Sequence, residues 1–238
     1  MSDNKQTRGP VWKRWIKILL IYIPLSCLLT SLAFVVLLKY VPVKHTPLMA
    51  IRSWGHRNQP DFQTRKSWKT IDEMGSNIVM AAMAAEDIRF QIHSGFDWAA
   101  IQAARENNKG KGALRGGSTI SQQTAKNVFL WPERSWLRKA LEAYFTVCIE
   151  WIWGKQRIIE VYLNVVETGP GLYGVESAAQ YFFNKSTHAL TEEEAALLVS
   201  CFPNPKERDP RQPSLESITR QQFVYNIMQR LPVPKWLH

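Results

Sequence analysis

Cysteine is scarce in this 238-residue sequence, which holds three: Cys27, Cys148 and Cys201. None of the spacings matches the close pairs of a zinc or iron–sulfur site, and an odd number leaves no complete disulfide set. Cys27 lies in an apolar run, so at most Cys148 and Cys201 could pair. Both sit in apolar helical contexts, where a free thiol behaves as a small hydrophobe, and all three read as structural. Acidic residues are also short, 20 against 30 lysines and arginines, for a formal charge of +10. That surplus favours anionic partners such as nucleic acid, acidic phospholipid or a phosphorylated substrate. A generally basic surface gives the same total, so the placement of the charges must decide. No module for nucleic acid binding is present, and no Gly-Lys-Ser/Thr completes a phosphate-binding loop of the Walker type. Internal repeats, low-complexity segments and sustained strand patterns are missing too.

Against these absences stands one long apolar run. Residues 18–38, ILLIYIPLSCLLTSLAFVVLL, carry no charge, and a bilayer core needs roughly 20 such residues. Pro24 lies near the amino end, and Ser26, Thr30 and Ser31 can bond within a helix, so none of them breaks it. Trp12, Trp15 and Tyr40 suit the two interfaces. A cleaved signal peptide has a shorter apolar core and a small-residue cleavage site; Lys39-Tyr40-Val41-Pro42 offers none. Lys5, Arg8, Lys13, Arg14 and Lys17 precede the run, opposed by Asp3, which keeps residues 1–17 cytoplasmic. The expected organisation is a cytoplasmic tail (1–17), a transmembrane helix (18–38), a juxtamembrane connector (39–70) and one exported domain (71–238).

The connector, rich in Pro, Arg, Lys and Trp (Pro42, Pro47, Trp54, Pro60, Trp68), reads as irregular structure suited to lipid headgroups. Beyond it the pattern predicts helices over 77–92, 118–130, 135–152, 155–166, 174–183, 191–202 and 214–231. Ser118-Thr119, Ser135 and Thr191 serve as amino-terminal caps, and Thr191 with Glu194 forms a capping box. The fold class is therefore mainly α.

Three clusters could carry chemistry. In Glu86-Asp87-Ile88-Arg89-Phe90-Gln91-Ile92-His93-Ser94-Gly95, a carboxylate follows the apolar run MAAMAA. With the helix continued to 92, residues 86, 90 and 93 fall on one face. Burial beside apolar neighbours raises a carboxyl pKa towards the range a general base needs. The plainer reading is a solvated acidic pair at a helix end. In Arg115-Gly116-Gly117-Ser118-Thr119 through Lys126-Asn127, glycines (Gly110 and Gly112 as well) lead into a helix amino terminus able to meet phosphate. Thr119, Gln123 and Lys126 share a face there, although a polar stripe can equally be solvated surface. In the third, Arg138 and Glu142 are i, i+4 neighbours on an otherwise apolar helix. Lys126, Arg138, Lys139 and Lys155 could converge as a pyrophosphate site.

Taken in order, these elements resemble the glycosyltransferase module of class A penicillin-binding proteins. The closer likeness is to its stand-alone form, the monofunctional biosynthetic peptidoglycan transglycosylases. Glu-Asp-x-x-Phe-x-x-His-x-Gly is Glu86 to Gly95. Gly-x-Ser-Thr-Ile-x-Gln-Gln-x-x-Lys-Asn closes at Lys126-Asn127, and Arg-Lys-x-x-Glu is Arg138 to Glu142. Lys-x-x-Ile-x-x-x-Tyr-Leu-Asn runs from Lys155 to Asn164, and Tyr-Gly-Val-x-x-Ala-Ala-x-x-Tyr/Phe-Phe from Tyr173 to Phe183. Two positions depart from the pattern: Gly154 where serine is usual, and Asn184 where glycine is frequent.

The resemblance implies a lysozyme-like helical domain with a smaller membrane-proximal lobe, acting on lipid II and the growing glycan strand at the inner membrane. Glu86 and Glu142 become the catalytic carboxylates. Asp87, Phe90, His93, Thr119, Gln123, Lys126, Asn127, Arg138, Lys155 and Asn164 become the substrate-binding set. No cofactor is required; Mg2+ or Mn2+ at the pyrophosphate is the one the chemistry admits. Other cell-wall synthesis or division proteins are implied as partners. Two rivals are a hydrolase or lytic enzyme cleaving glycan strands, which gives no reason for gathered cations, and a non-catalytic lipid II scaffold, which could dispense with Glu86. A second, transpeptidase activity is disfavoured: the one Ser-x-x-Lys runs from Ser2 to Lys5 in the tail, with no Lys-Thr-Gly after it.

Overall fold

The computed structural model describes residues 12, 15–16, 18–59, 62–107 and 117–237. Asp3, Lys5, Arg8, Lys13, Arg14 and Lys17, the basis for orientation, lie outside the described residues, as do Pro60, Gly110, Gly112, Arg115 and Gly116. The chain forms two compact units, Met1–Tyr40 and Val41–His238.

In the first unit the described residues include a helix, α1 (Ile18–Tyr40), 23 residues long, or about 35 Å at 1.5 Å per residue. That length exceeds the roughly 30 Å of a bilayer hydrocarbon core. Its opening turn, Ile18–Tyr22, is a π-helix. It covers the residues just before Pro24, whose ring would clash with the carbonyl four residues back in regular α geometry. Leu20 is 71% exposed and Leu29 59%, whereas an apolar helix in the core of a soluble domain hides such side chains.

In the second unit two described parts of the 39–70 segment, expected to be irregular, form regular elements. Helix α2 (Pro47–Gly55) starts on Thr46, whose hydroxyl accepts the Met49 N–H at 3.3 Å. Pro47 stands in the first turn, where its missing N–H has no partner to lose. Strand β1 (Arg65–Lys66) follows, and Lys66 Nζ donates to the carbonyls of Val43 and Lys44.

The helices after it are α3 (Ile71–Met74), α4 (Ser76–Glu86), α5 (Trp98–Asn107), α6 (Ile120–Phe129), α7 (Trp136–Ile152), α8 (Gly154–Val165), α9 (Val175–Phe183), α10 (Glu192–Ser200) and α11 (Leu215–Met228). Helix α4 is the centre. Every residue from Ile78 to Ala84 is buried, and its alanines let α8, α10 and α11 pack closely against it. The predicted caps Thr119, Ser135 and Thr191 open α6, α7 and α10 as expected.

Three features differ from the sequence reading. Helix α4 stops at Glu86 rather than 92, and Asp87 leaves helical geometry at φ −161°, ψ 78°. Glu86, Phe90 and His93 therefore do not share a helical face. Helix α5 lacks an apolar stripe strong enough to announce it. A small sheet joins β2 (Glu167–Gly169) and β3 (Leu172–Tyr173) in the order β1-β3-β2. Strand β1 is parallel to β3 and β2 antiparallel to it; strands of two or three residues are too short to display an alternating pattern.

Both departures from the family pattern suit their backbones. Asn184 caps α9 in the left-handed region at φ 54°, where asparagine is the residue that best substitutes for glycine. Gly154 turns α7 into α8 at φ 75°, a conformation that would strain a serine.

Asn164, expected among the substrate ligands, is instead a buried clamp, 1% exposed. Its Oδ1 accepts the Lys69 N–H at 2.9 Å, and its Nδ2 donates to Lys69 O and Glu160 O, both at 2.8 Å. Asn164→Ala leaves the N–H and carbonyl of half-buried Lys69 without this partner, while Glu160 O stays within the α8 ladder. A loss of about 2–4 kcal/mol of unfolding free energy is expected by denaturant titration, and any fall in activity should track the folded fraction.

Candidate active site

Glu86 ends α4 with its side chain 15% exposed. Gln123 Nε2, from α6, donates to Glu86 Oε2 at 3.0 Å. Arg220, from α11, reaches Glu86 Oε1 and the Ala85 carbonyl, each at 3.2 Å. Burial pushes the Glu86 carboxyl above the usual range; the Gln123 donor and the Arg220 charge pull it back, and Asp87 adds to the rise. Such a balance gives a carboxylate more basic than a surface glutamate, yet held by two donors that prefer it ionised.

Asp87 points inward and does a different job. Its Oδ2 accepts the Ile120 N–H, the first of α6, at 3.0 Å, where the helix dipole favours negative charge. His93 Nε2 lies 2.9 Å from the same oxygen, and His93 Nδ1 accepts the Gly95 N–H at 3.1 Å. Since Nδ1 acts as acceptor, the proton of the neutral ring is on Nε2, facing Asp87. Thr119 caps α6 and donates to Gly95 O at 2.6 Å. Asp87, His93 and Thr119 thus tie the loop after α4 to the start of α6. Phe90 is fully buried and packs against the Lys155 ammonium rather than opening onto the surface.

One turn further along α6, Lys126 lies in a different field. Glu142 and Glu167 attract it, Arg138 and Lys139 repel it, and burial is the largest effect, holding its ammonium below the usual lysine range. Glu142 is 3% exposed and Arg138 8%. Arg138 Nη1 donates to Glu142 Oε2 at 2.8 Å, and Lys139 Nζ bonds Oε1. Lys155 does not join this group. Its ammonium pairs with Glu150 at 2.7 Å and sits 4.6 Å over the Phe90 ring, while Glu150 also takes the Ser121 hydroxyl. Of the four cations expected to converge, Lys126, Arg138 and Lys139 act around Glu142, and Lys155 stands apart.

Openings lie at both ends of α6. A cleft of about 450 Å³ reaches Glu86, Arg89, Ala100, Ala104, Ser118 and Phe223. A recess of about 150 Å³ is bounded by Arg52, Lys126, Asn127, Trp131 and Glu167. Another opening, about 740 Å³ between Phe62, Tyr181 and Arg211, contains none of the expected residues. Among the described residues no three His, Cys, Asp or Glu side chains group closely enough to hold a metal. Both Glu142 oxygens are engaged by the cations Arg138 and Lys139.

The same ordered elements are matched by the family described as Transglycosylase, over residues 55–229. The chain belongs to the transglycosylase family. Its helical fold is of the lysozyme-like kind found in that family. Relatives named biosynthetic peptidoglycan transglycosylase include one from Bdellovibrio bacteriovorus, 44% identical over 93% of this chain and 87% of its own length. Another, from Xanthomonas axonopodis pv. citri, is 40% identical over 99% and 96%, and one from Rhodospirillum centenum is 47% identical over 80% of each chain.

Two residues of this transglycosylase site escaped the sequence reading. Arg220 stands 134 positions from Glu86 in a helix with no marked pattern, and nothing local signals it. Tyr162 falls inside a motif already quoted, but its partner is on another helix. Removing the Arg220 charge leaves the ionised form of Glu86 less favoured, so its pKa must rise. Arg220→Gln should therefore move the carbon-13 titration of the Glu86 carboxyl to higher pH, with the fold retained by circular dichroism.

Proposed function

We propose that this transglycosylase polymerises lipid II into β-1,4 glycan strands. The 4-hydroxyl of the acceptor sugar gives its proton to Glu86 as its oxygen attacks the anomeric carbon of the growing strand. The bond from that carbon to the pyrophosphate oxygen breaks with inversion, and undecaprenyl pyrophosphate leaves. One new glycosidic bond replaces one glycosyl phosphate bond, and the proton ends on the glutamate before passing to solvent.

The observation that carries this reading is the pair Gln123 and Lys126 on α6. Residues three apart on a helix lie about 5–6 Å from each other. The first touches the buried carboxylate, and the second enters the field of Arg138, Lys139 and Glu142. A base and a preorganised cation cluster are thus one helical turn apart, which is what accepting a proton and stabilising a departing diphosphate demand. Within the cluster Glu142 anchors Arg138 and Lys139 rather than touching the reacting atoms, and Asn127 lines the recess beside Lys126.

The apolar helix α1 supports an anchored enzyme whose substrate is itself tethered by lipid. The basic residues before it favour a cytoplasmic amino terminus, an inner-membrane span and a periplasmic catalytic domain.

Glu86→Gln keeps the shape and the Gln123 contact but removes the base. Turnover of labelled lipid II should fall by about 10²–10⁴-fold, while Arg138→Ala should slow strand growth with the Glu86 titration little changed. Full-length strands made at the wild-type rate by Glu86→Gln would sink the assignment. Short fragments released from sacculi, with no polymer from lipid II, would favour a glycan-cleaving enzyme.

A further inference from the structure

Tyr162 projects from α8 into the core with no exposed surface. Its hydroxyl stands 3.4 Å from Gln123 Oε1, and Gln123 Nε2 donates to Glu86 at 3.0 Å. Among the described residues Gln123 is the hydrogen-bond partner of that hydroxyl. The two ends of a glutamine amide have nearly the same shape, so neighbouring donors and acceptors decide which way it faces.

We propose that Tyr162 is a positioning residue for the reaction: its buried hydroxyl fixes which end of the Gln123 amide faces Glu86. The inference rests on the reading of Glu86 as the base and adds the device that keeps that base ready. With the phenol donating to Oε1, the NH2 group is turned to the carboxylate, and every member of the chain Tyr162–Gln123–Glu86 is satisfied. If the amide flips, its oxygen faces Glu86, which then needs a proton of its own to donate. Tyr162 becomes an acceptor, and its hydroxyl hydrogen is left buried without a partner, a costly outcome. The phenol therefore biases the chain towards ionised Glu86, working with Arg220 from α11 and against burial and the neighbouring Asp87. Those two charged groups, with Tyr162 itself, are the titratable neighbours that act on the glutamate. The phenol stays protonated throughout, because burial raises it well above the ordinary tyrosine range.

Tyr162→Phe keeps the ring and removes the bias. In the full-length protein in detergent, kcat/KM on lipid II should drop about three- to tenfold at pH 6, with the deficit shrinking as the pH rises to 9. The carbon-13 titration of the Glu86 carboxyl, read without substrate, should move to higher pH. Gln123→Leu should move it at least as far, and adding Tyr162→Phe to Gln123→Leu should move it no further. A deficit of equal size at every pH overturns the proposal, as does a Glu86 titration that shifts in Gln123→Leu but not in Tyr162→Phe. Should the phenylalanine variant fail to fold, difluorotyrosine placed at 162 strengthens the donor at nearly constant volume. It should shift Glu86 downward, and an unmoved or raised titration would count against the idea. If Glu86→Gln still polymerises, the base assignment fails, while the titration still reports whether Tyr162 sets the amide.

Discussion

The site hangs on one buried carboxylate, that of Asp87. Helix α4 is apolar on all sides, and its propensity would carry it past Glu86. Asp87 stops it by turning inward to the first N–H of α6 and to His93. A charge at a helix amino terminus is stabilised by unpaired N–H groups and by the dipole, and here the charge comes from a segment 33 residues away. That contact fixes where α4 ends relative to where α6 begins. Glu86, one residue earlier, is thereby set opposite Gln123, one turn into α6. Two consecutive acids divide the work: one is consumed by structure so that the other can be aimed.

Helix α6 then serves two electrostatic environments at once. At Gln123 a single negative charge is partly desolvated and contacted by one neutral donor and one guanidinium. At Lys126 three basic groups surround Glu142, a surplus of positive charge. Burying Arg138 against Glu142 costs hydration that their attraction need not recover, so its value is better sought in geometry. An arginine held by a carboxylate keeps its orientation before any ligand arrives, which is the condition for stabilising charge that develops only during reaction. Lys155, from a later motif of the same ordered series, pairs with Glu150 and lies over the Phe90 ring instead of joining Glu142.

Much of this was readable in the sequence, for definite reasons. The apolar run at 18–38, the caps at Thr119, Ser135 and Thr191, and the order of the polar motifs all depend on short-range chemistry. Glu86, Gln123, Lys126 and Arg138 were found because each stands at a fixed offset within such a motif. What failed was the step from a motif to a direction. Phe90, Lys155 and Asn164 belong to the same patterns but face inward, since packing and backbone satisfaction can constrain a residue as tightly as chemistry does. The end of α4 was missed because the signal that stops it is the amide of Ile120, not a proline or glycine nearby. Arg220 was invisible for a related reason: a guanidinium on an unremarkable helix acquires meaning only through the carboxylate it meets across the fold.

That last contact also gives α11 a part in the chemistry. A glutamate buried at the end of an apolar helix would, left alone, hold its proton too firmly to begin a cycle. Gln123 answers this from α6 with a neutral donor, and Arg220 answers it from α11 with a charge. The two answers are not equivalent. The amide can reverse and so needs Tyr162 behind it, whereas a guanidinium has donors on every edge and cannot present an acceptor. The neutral contact therefore depends on the core of α8, and the charged one on the packing of α11 against α4. The base is poised only when α6, α8 and α11, distant in sequence, all stand in place around it, so its readiness is a property of the completed domain.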